Sequence, residues 1–214
     1  MKKDKVHVYR DPKKNEDFFK DNVGMGLSFD LGVRKIYVHD QEIQLYYVNG
    51  LCDTQYVIYL LKELIEINDN EPESDDLARV VENRLVNQQV SKVETLDEAV
   101  DQVLSGLVAV VVEGENYAFI IDVRSYPGRM PEEPDTEKVV RGARDGFVEN
   151  IIVNTALIRR RVRDEKLRYK MLKVGERSKA DVCVCYIEDI ADPYLVDIIE
   201  KEVSGIKVDG LTMS

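Results

Sequence analysis

The sequence predicts an α/β protein made of two small α/β subdomains, each a mixed sheet flanked by helices, joined by a Pro-rich linker. Three observations carry this prediction. Runs of β-branched and aromatic residues of strand length alternate with stretches of helical periodicity. The same alternation occurs on both sides of one interruption, where Pro127, Gly128, Pro131 and Pro134 fall close together and forbid regular structure. The chain of 214 residues, 44% hydrophobic and 33% charged, also has the apolar content for cores and the length for two modest units.

Residues 1–24 mix Lys, Asp and Asn with few apolar positions, and read as a mobile leader with at most a short helix around Phe18 and Phe19. The first subdomain spans 25–126. Runs 33–38 and 43–48 flank the turn His39-Asp40-Gln41 and predict a hairpin. Asp53 can cap a helix whose apolar face is Tyr56, Leu60, Leu61, Leu64 and Ile67. After the acidic loop 68–76, Leu77, Val80, Val81 and Leu85 mark a second helix, and 90–93 a short strand. Thr95 with Glu98 three residues on forms a capping box for a third helix. Runs 107–112 and 117–123 then predict a hairpin apolar enough for the middle of a sheet. The linker is placed at 127–135 and the second subdomain at 136–214. That subdomain should hold a helix from Val148 to Arg161, strands at 167–174 and 181–187, and a last helix capped by Asp192 and begun by Pro193.

Composition excludes several classes. The longest stretch without charge is the 11 residues 102–112, against the ~20 apolar residues of a membrane-spanning helix. The amino terminus lacks the apolar block of a secretory signal, and three cysteines argue against a disulfide framework, so a cytosolic compartment is expected. A net charge of -11 disfavours nucleic acid as a partner. Charge is nevertheless segregated: residues 138–179 carry +8 and the remainder -19, which suggests faces that meet opposite partners.

No catalytic constellation emerges, and neither a cofactor nor a metal is expected. Gly24-Met25-Gly26 resembles the start of a dinucleotide loop, but Phe29 stands where the third glycine belongs and no strand precedes it, so a flexible lead-in is the better reading. Cys183 and Cys185, two apart on a strand, share one face and could take a soft metal with only Cys52 to help, so core packing is preferred. His7 and His39 read as surface residues. The alternate carboxylates of 69–76 contain Pro72 and lack a calcium loop's glycine. Arg159, Arg160, Arg161 and Arg163 fan over several helix faces, which fits partner contacts or salt bridges better than one bound phosphate.

One long run is specific enough to compare with known families. Glu133, Pro134, Glu137, Arg141, Gly142, Arg144, Gly146, Phe147 and Glu149, followed by Asn154 and Arg159-Arg160-Arg161, resemble the signature of the GerA family of spore germination proteins. Val174 to Lys179 and Asp209-Gly210 fit the same pattern, so the resemblance runs from about Met25 to Ser214. A second motif, Asn49-Gly50-Leu51-Cys52-Asp53, inclines the chain toward a branch apart from the nutrient-receptor subunits, which write an acidic residue before that glycine and proline in place of Ala143. The resemblance implies the soluble amino-terminal part of a spore inner-membrane protein, on the cytosolic or core-facing side, with a membrane domain beyond residue 214. It further implies homo-oligomerisation, a partner spore membrane protein, and assembly or gating of an ion-conducting complex that promotes ion release. The alternative is a ligand-binding domain of a nutrient germinant receptor, with a cleft between the subdomains. Within the signature, Gly142 and Gly146 suit turns, Phe147 a core plug at the start of the long helix, Glu149 the helix dipole, and Arg141 and Arg144 carboxylates nearby or on a neighbour, as scaffold or subunit contacts.

Overall fold

The computed structural model describes residues 5–72, 76–85, 89–126 and 146–209. Their elements run α1 (Pro12–Val23), β1 (Leu31–Val38), β2 (Gln41–Val48), α2 (Thr54–Ile65), α3 (Ile67–Asn70), α4 (Leu77–Arg84), β3 (Val90–Val93), α5 (Leu96–Leu104), β4 (Val108–Val112), β5 (Ala118–Ile121), α6 (Ile151–Arg161), β6 (Leu167–Val174), β7 (Ala180–Ile187) and α7 (Pro193–Ser204). The α/β class and the two helix-flanked sheets are as expected. The linker 127–135 lies outside the described residues.

Five strands form the larger sheet in the order β1-β2-β4-β5-β3. Each ladder is antiparallel, where mixed sheets were expected, because β1–β2 and β4–β5 are hairpins and β2–β4 and β3–β5 run in opposite senses. The β1–β2 turn places His39 and Asp40 at φ 46° and 61°, the two left-handed positions of a tight two-residue hairpin loop. Helices cover both faces. Val108, Val110 and Val112 of β4 pack with α2 and α4, while Ala109 and Val111 pack with α1 and α5. This two-sided burial explains why all five β4 residues are apolar.

The leader is the largest departure. Residues 5–24 pack into the first unit: Val8 N–H donates to Glu94 O (3.0 Å), Leu96 N–H donates to Val6 O (2.7 Å), and Phe19 stacks on Tyr46 at 4.0 Å. The face of α1 turned to the core consists of Pro12, Asn15, Phe19 and Val23. Asn15 is buried because its side chain receives Tyr9 N–H (2.9 Å) and donates to Tyr9 O (2.7 Å). Two of those four residues are not ordinary core formers, which hid the helical spacing.

The smaller sheet pairs β6 with β7 from Leu167↔Ile187 to Val174↔Ala180. Helix α6 begins at Ile151 rather than Val148. Asn150 takes the cap, accepting from Ile152 N–H at 2.9 Å, and Asn154 binds both Val148 N–H and Val148 O. Helix α7 rests on β6 with Val196 as its buried residue.

Candidate functional site

The structure brings Arg159 of the signature and the branch motif to one junction, where the second unit meets the first. Asp30, just before β1, is its centre. Its carboxylate accepts from Ser28 Oγ (2.6 Å), from Arg159 Nε (2.8 Å) and from Arg159 Nη2 (3.3 Å). Both members of the pair are nearly sealed from water, with 0% of the Arg159 and 2% of the Asp30 side chain exposed. Two more guanidinium hydrogens go to Asp164 O (2.9 Å) and Leu167 O (3.1 Å), and the guanidinium lies 5.1 Å from the centre of the Tyr169 ring. A buried ion pair persists only when its other polar atoms are satisfied in this way.

Backbone contacts reinforce the pair. Phe29 N–H donates to Tyr169 O (3.2 Å), Tyr169 N–H donates to Ser28 Oγ (3.0 Å), and Tyr169 Oη donates to Thr155 O (3.0 Å). Burial pushes the Tyr169 phenol well above its ordinary range, so it stays a neutral donor. Nearby, Arg168 is 2% exposed and donates to Val23 O (2.8 Å) and to Glu188 Oε2 (2.6 Å). Gly24 caps α1 at φ 76°, and a Cβ there would overlap that guanidinium. The glycine pair read as a flexible lead-in is thus a helix cap with an arginine packed upon it.

The branch motif forms the seat of this junction. Asn49 N–H donates to Asp30 O (2.7 Å). Gly50, at φ 84°, lies under α6, so that a Cβ would press on Ala156 and Ile152. Leu51 is fully buried, and Asp53 caps α2 by accepting from Gln55 N–H (2.9 Å) and Tyr56 N–H (3.2 Å). Cys52 is buried, which pushes its thiol up to about 11.

The signature residues are divided. Glu133, Pro134, Glu137, Arg141, Gly142 and Arg144 lie outside the described residues. Gly146 and Glu149 are exposed ahead of the α6 cap. Phe147, expected to plug the core, is 67% exposed, because α6 starts only at Ile151 and the segment before it stands off the sheet. Arg159, read as a partner contact or a salt bridge, is buried in an ion pair with Asp30. Arg160 instead lies over the Tyr126 ring at 4.7 Å, Arg161 is exposed, and Arg163 donates to Ser105 Oγ (3.2 Å). Asp30, Ser28, Arg168 and Tyr169 were missed by the sequence reading. The available signal was the spacing Thr155, Ala156, Arg159, which is the inward stripe of α6.

Cys183 is half-buried, with its thiol pushed up to about 12 by burial, and Cys185 is exposed. Among the described residues no three His, Cys, Asp or Glu side chains are grouped to hold a metal, and no helix is long and apolar enough to cross a membrane. A separate recess of about 330 Å³ opens beside the junction, lined by Arg34, Tyr47, Asn49, Cys52, Thr54, Val57, Ile58 and Leu61. The site as a whole is a joint and a recess.

Comparison with known proteins agrees with this architecture. The chain is 70% identical over 213 residues to stage V sporulation protein AF of Bacillus subtilis (strain 168), covering 100% of this chain and 43% of that protein. It is 33% identical over 179 residues to spore germination protein B1 of the same organism, covering 81% of this chain and 36% of that one. The chain therefore spans less than half the length of these relatives. The crystal structure of the N-terminal domain of the A subunit of the Bacillus megaterium spore germinant receptor GerK3 superposes with a TM-score of 0.74 at 22% identity, over 97% of this chain and 76% of that one. That likeness establishes the fold. The family model described as Bacillus/Clostridium GerA spore germination protein matches residues 17–214, and the chain belongs to that family.

Proposed function

We propose that the chain is the soluble amino-terminal part of a membrane-embedded spore germination protein and serves in assembly or gating of an ion-conducting complex that promotes ion release, with no enzymatic step of its own. The observation that carries this reading is an apolar surface on the second unit that is exposed among the described residues. On α7, Tyr194 is 73% and Leu195 53% exposed, with Ile198 and Ile199 beside them and Ile190 just before the helix. A cluster of large apolar side chains facing solvent marks an interaction surface, since burial of such groups stabilises by about 25 cal/mol per Å². The sporulation and germination names of its longer relatives support a role in that process. In this reading the full-length protein sits in the spore inner membrane, and further copies and a partner membrane protein are the covering surfaces.

The test uses the full-length protein in spore membranes with Leu195→Asp and Ile198→Asp together. Cross-linked oligomer and ion release should both fall, while the circular dichroism of the soluble domain is retained. An undiminished oligomer with normal ion release would overturn the reading.

A further inference from the structure

The two-stranded sheet of β6 and β7 turns its faces to different surroundings. Alternate residues of a strand point to opposite faces, and residues directly opposed across a ladder share one. Lys170, opposite Val184, is paired with Glu200 of α7 at 2.6 Å, so that face lies against α7. Tyr169 and Met171 point the other way, with Cys185 and Cys183 opposite them in register. The Tyr169 phenol reaches Thr155 O, which makes this the face turned to α6. Three sulphur-bearing side chains, Met171, Cys183 and Cys185, are therefore gathered on one face of one hairpin.

Interior packing does not account for them, because Cys185 is exposed and Cys183 and Met171 are only half-buried. Nor is a disulfide accommodated: two residues along a strand advance ~6.7 Å, whereas bridged cysteines need Cβ atoms about 3.5–4.5 Å apart. An ion with two bonds of ~2.3 Å to sulphur instead holds the sulphurs ~4.6 Å apart, a separation that side-chain rotation supplies from that spacing. Met171, directly across the ladder from Cys183, stands within reach as a third donor.

The donor set is selective. Among the described residues no third His, Cys, Asp or Glu joins the two thiols, so the four ligands of a structural zinc site are not assembled. The Asp30 carboxylate, whose charge reaches both thiols, is taken by Arg159 and Ser28. Cys52 is buried in the first unit, its thiol donating to Val48 O at 3.2 Å. Two thiolates and a thioether are the soft, low-number set that selects Cu(I).

We propose that Met171, Cys183 and Cys185 bind one Cu(I) ion, the two thiolates as its main ligands and the thioether as its third. Each thiol gives its proton to solvent as its sulphur bonds the ion, and no electron is transferred. Burial holds the Cys183 thiol up to about 12, so the ion must displace protons that the free chain keeps at neutral pH. The Arg159 guanidinium, which favours the Cys185 thiolate, offsets the negative charge of the centre. Because Met171 lies on β6 and both cysteines on β7, the ion clips together a sheet too small to be stable alone. The proposal is independent of the assembly role and stands or falls separately.

The probe is Cu(I) itself, titrated without oxygen into the reduced chain against bicinchoninate as a coloured competitor. One ion per chain should be withheld from the competitor, and Cys183→Ser or Cys185→Ser should abolish this while Cys52→Ser leaves it intact. Met171→Leu should weaken binding at least about tenfold, as loss of a ligand. An unfolded Cys-x-Cys segment also binds Cu(I), so the decisive measurement is urea unfolding with and without the ion. A tenfold preference for the folded chain raises the midpoint by about 0.5–1 M, and Met171→Leu should remove that rise. Circular dichroism of each variant without the ion confirms its fold. Retention of Cu(I) by either serine variant, equal affinity for Zn(II), or a midpoint that the ion does not move would each overturn the proposal.

Discussion

Replacing Arg159 by Met tests the junction most directly, because Met keeps much of the apolar stem and removes the charge. The Asp30 carboxylate, 2% exposed, would retain only Ser28 Oγ as a side-chain partner, while Asp164 O and Leu167 O would each lose a donor. Breaking one side of a buried pair destabilises by about 3–5 kcal/mol. With a urea dependence of about 2 kcal/mol per molar, the unfolding midpoint should fall by about 1.5–2.5 M. The double variant Asp30→Asn with Arg159→Met should regain more than about 1 kcal/mol of that loss, since no buried charge is left unpaired. Circular dichroism and tyrosine fluorescence report the transitions. A loss below about 1 kcal/mol for Arg159→Met, or strict additivity in the double variant, would refute the claim that the pair joins the units.

Three further outcomes follow from the same geometry. Asp53→Ala removes the acceptor of Gln55 and Tyr56 N–H and should cost about 0.5–2 kcal/mol in urea unfolding. Phe147→Ala, at a residue 67% exposed, should change stability of this domain by no more than about 0.5 kcal/mol, whereas a core plug would lose several times as much. The Cys52 thiol, pushed up to about 11 by burial, should make stability fall with alkaline pH. The unfolded chain releases that proton at about pH 8.5 and the native chain holds it to about 11, so the contribution is whole below the first value and lost across the interval. Urea midpoints at about pH 8 and pH 10 should therefore differ more for the native sequence than for Cys52→Ala.

How much of this was legible beforehand depended on range along the chain. The His39-Asp40 turn, the Asp53, Thr95 and Asp192 caps and the β6 and β7 runs are written in neighbouring residues, and they stand where local patterns put them. Phe147 and the start of α6 were misjudged because Asn150 and Asn154, two short polar side chains, hold the preceding backbone out of the helix. Arg159 could not be separated from Arg160 and Arg161 by composition, since all three carry the same charge. Only the inward stripe through Thr155 tells them apart. Asp30 had no local signal at all: its partner is 129 residues away, and its burial exists only once both units are formed.

That separation has a consequence for the order in which the molecule is made. Contacts from Asn22, Val23, Ser28 and Asp30 reach residues 159–169 across 129 to 145 positions of chain. During synthesis the first unit emerges long before α6 and β6 leave the ribosome, and amino-terminal units generally fold as they appear. The surface around Asp30 must then wait, with its carboxylate still hydrated, for its guanidinium to arrive. Closing such distant contacts is slow relative to hairpin formation. The two-stranded sheet, too small to be stable by itself, is therefore completed on a template already built.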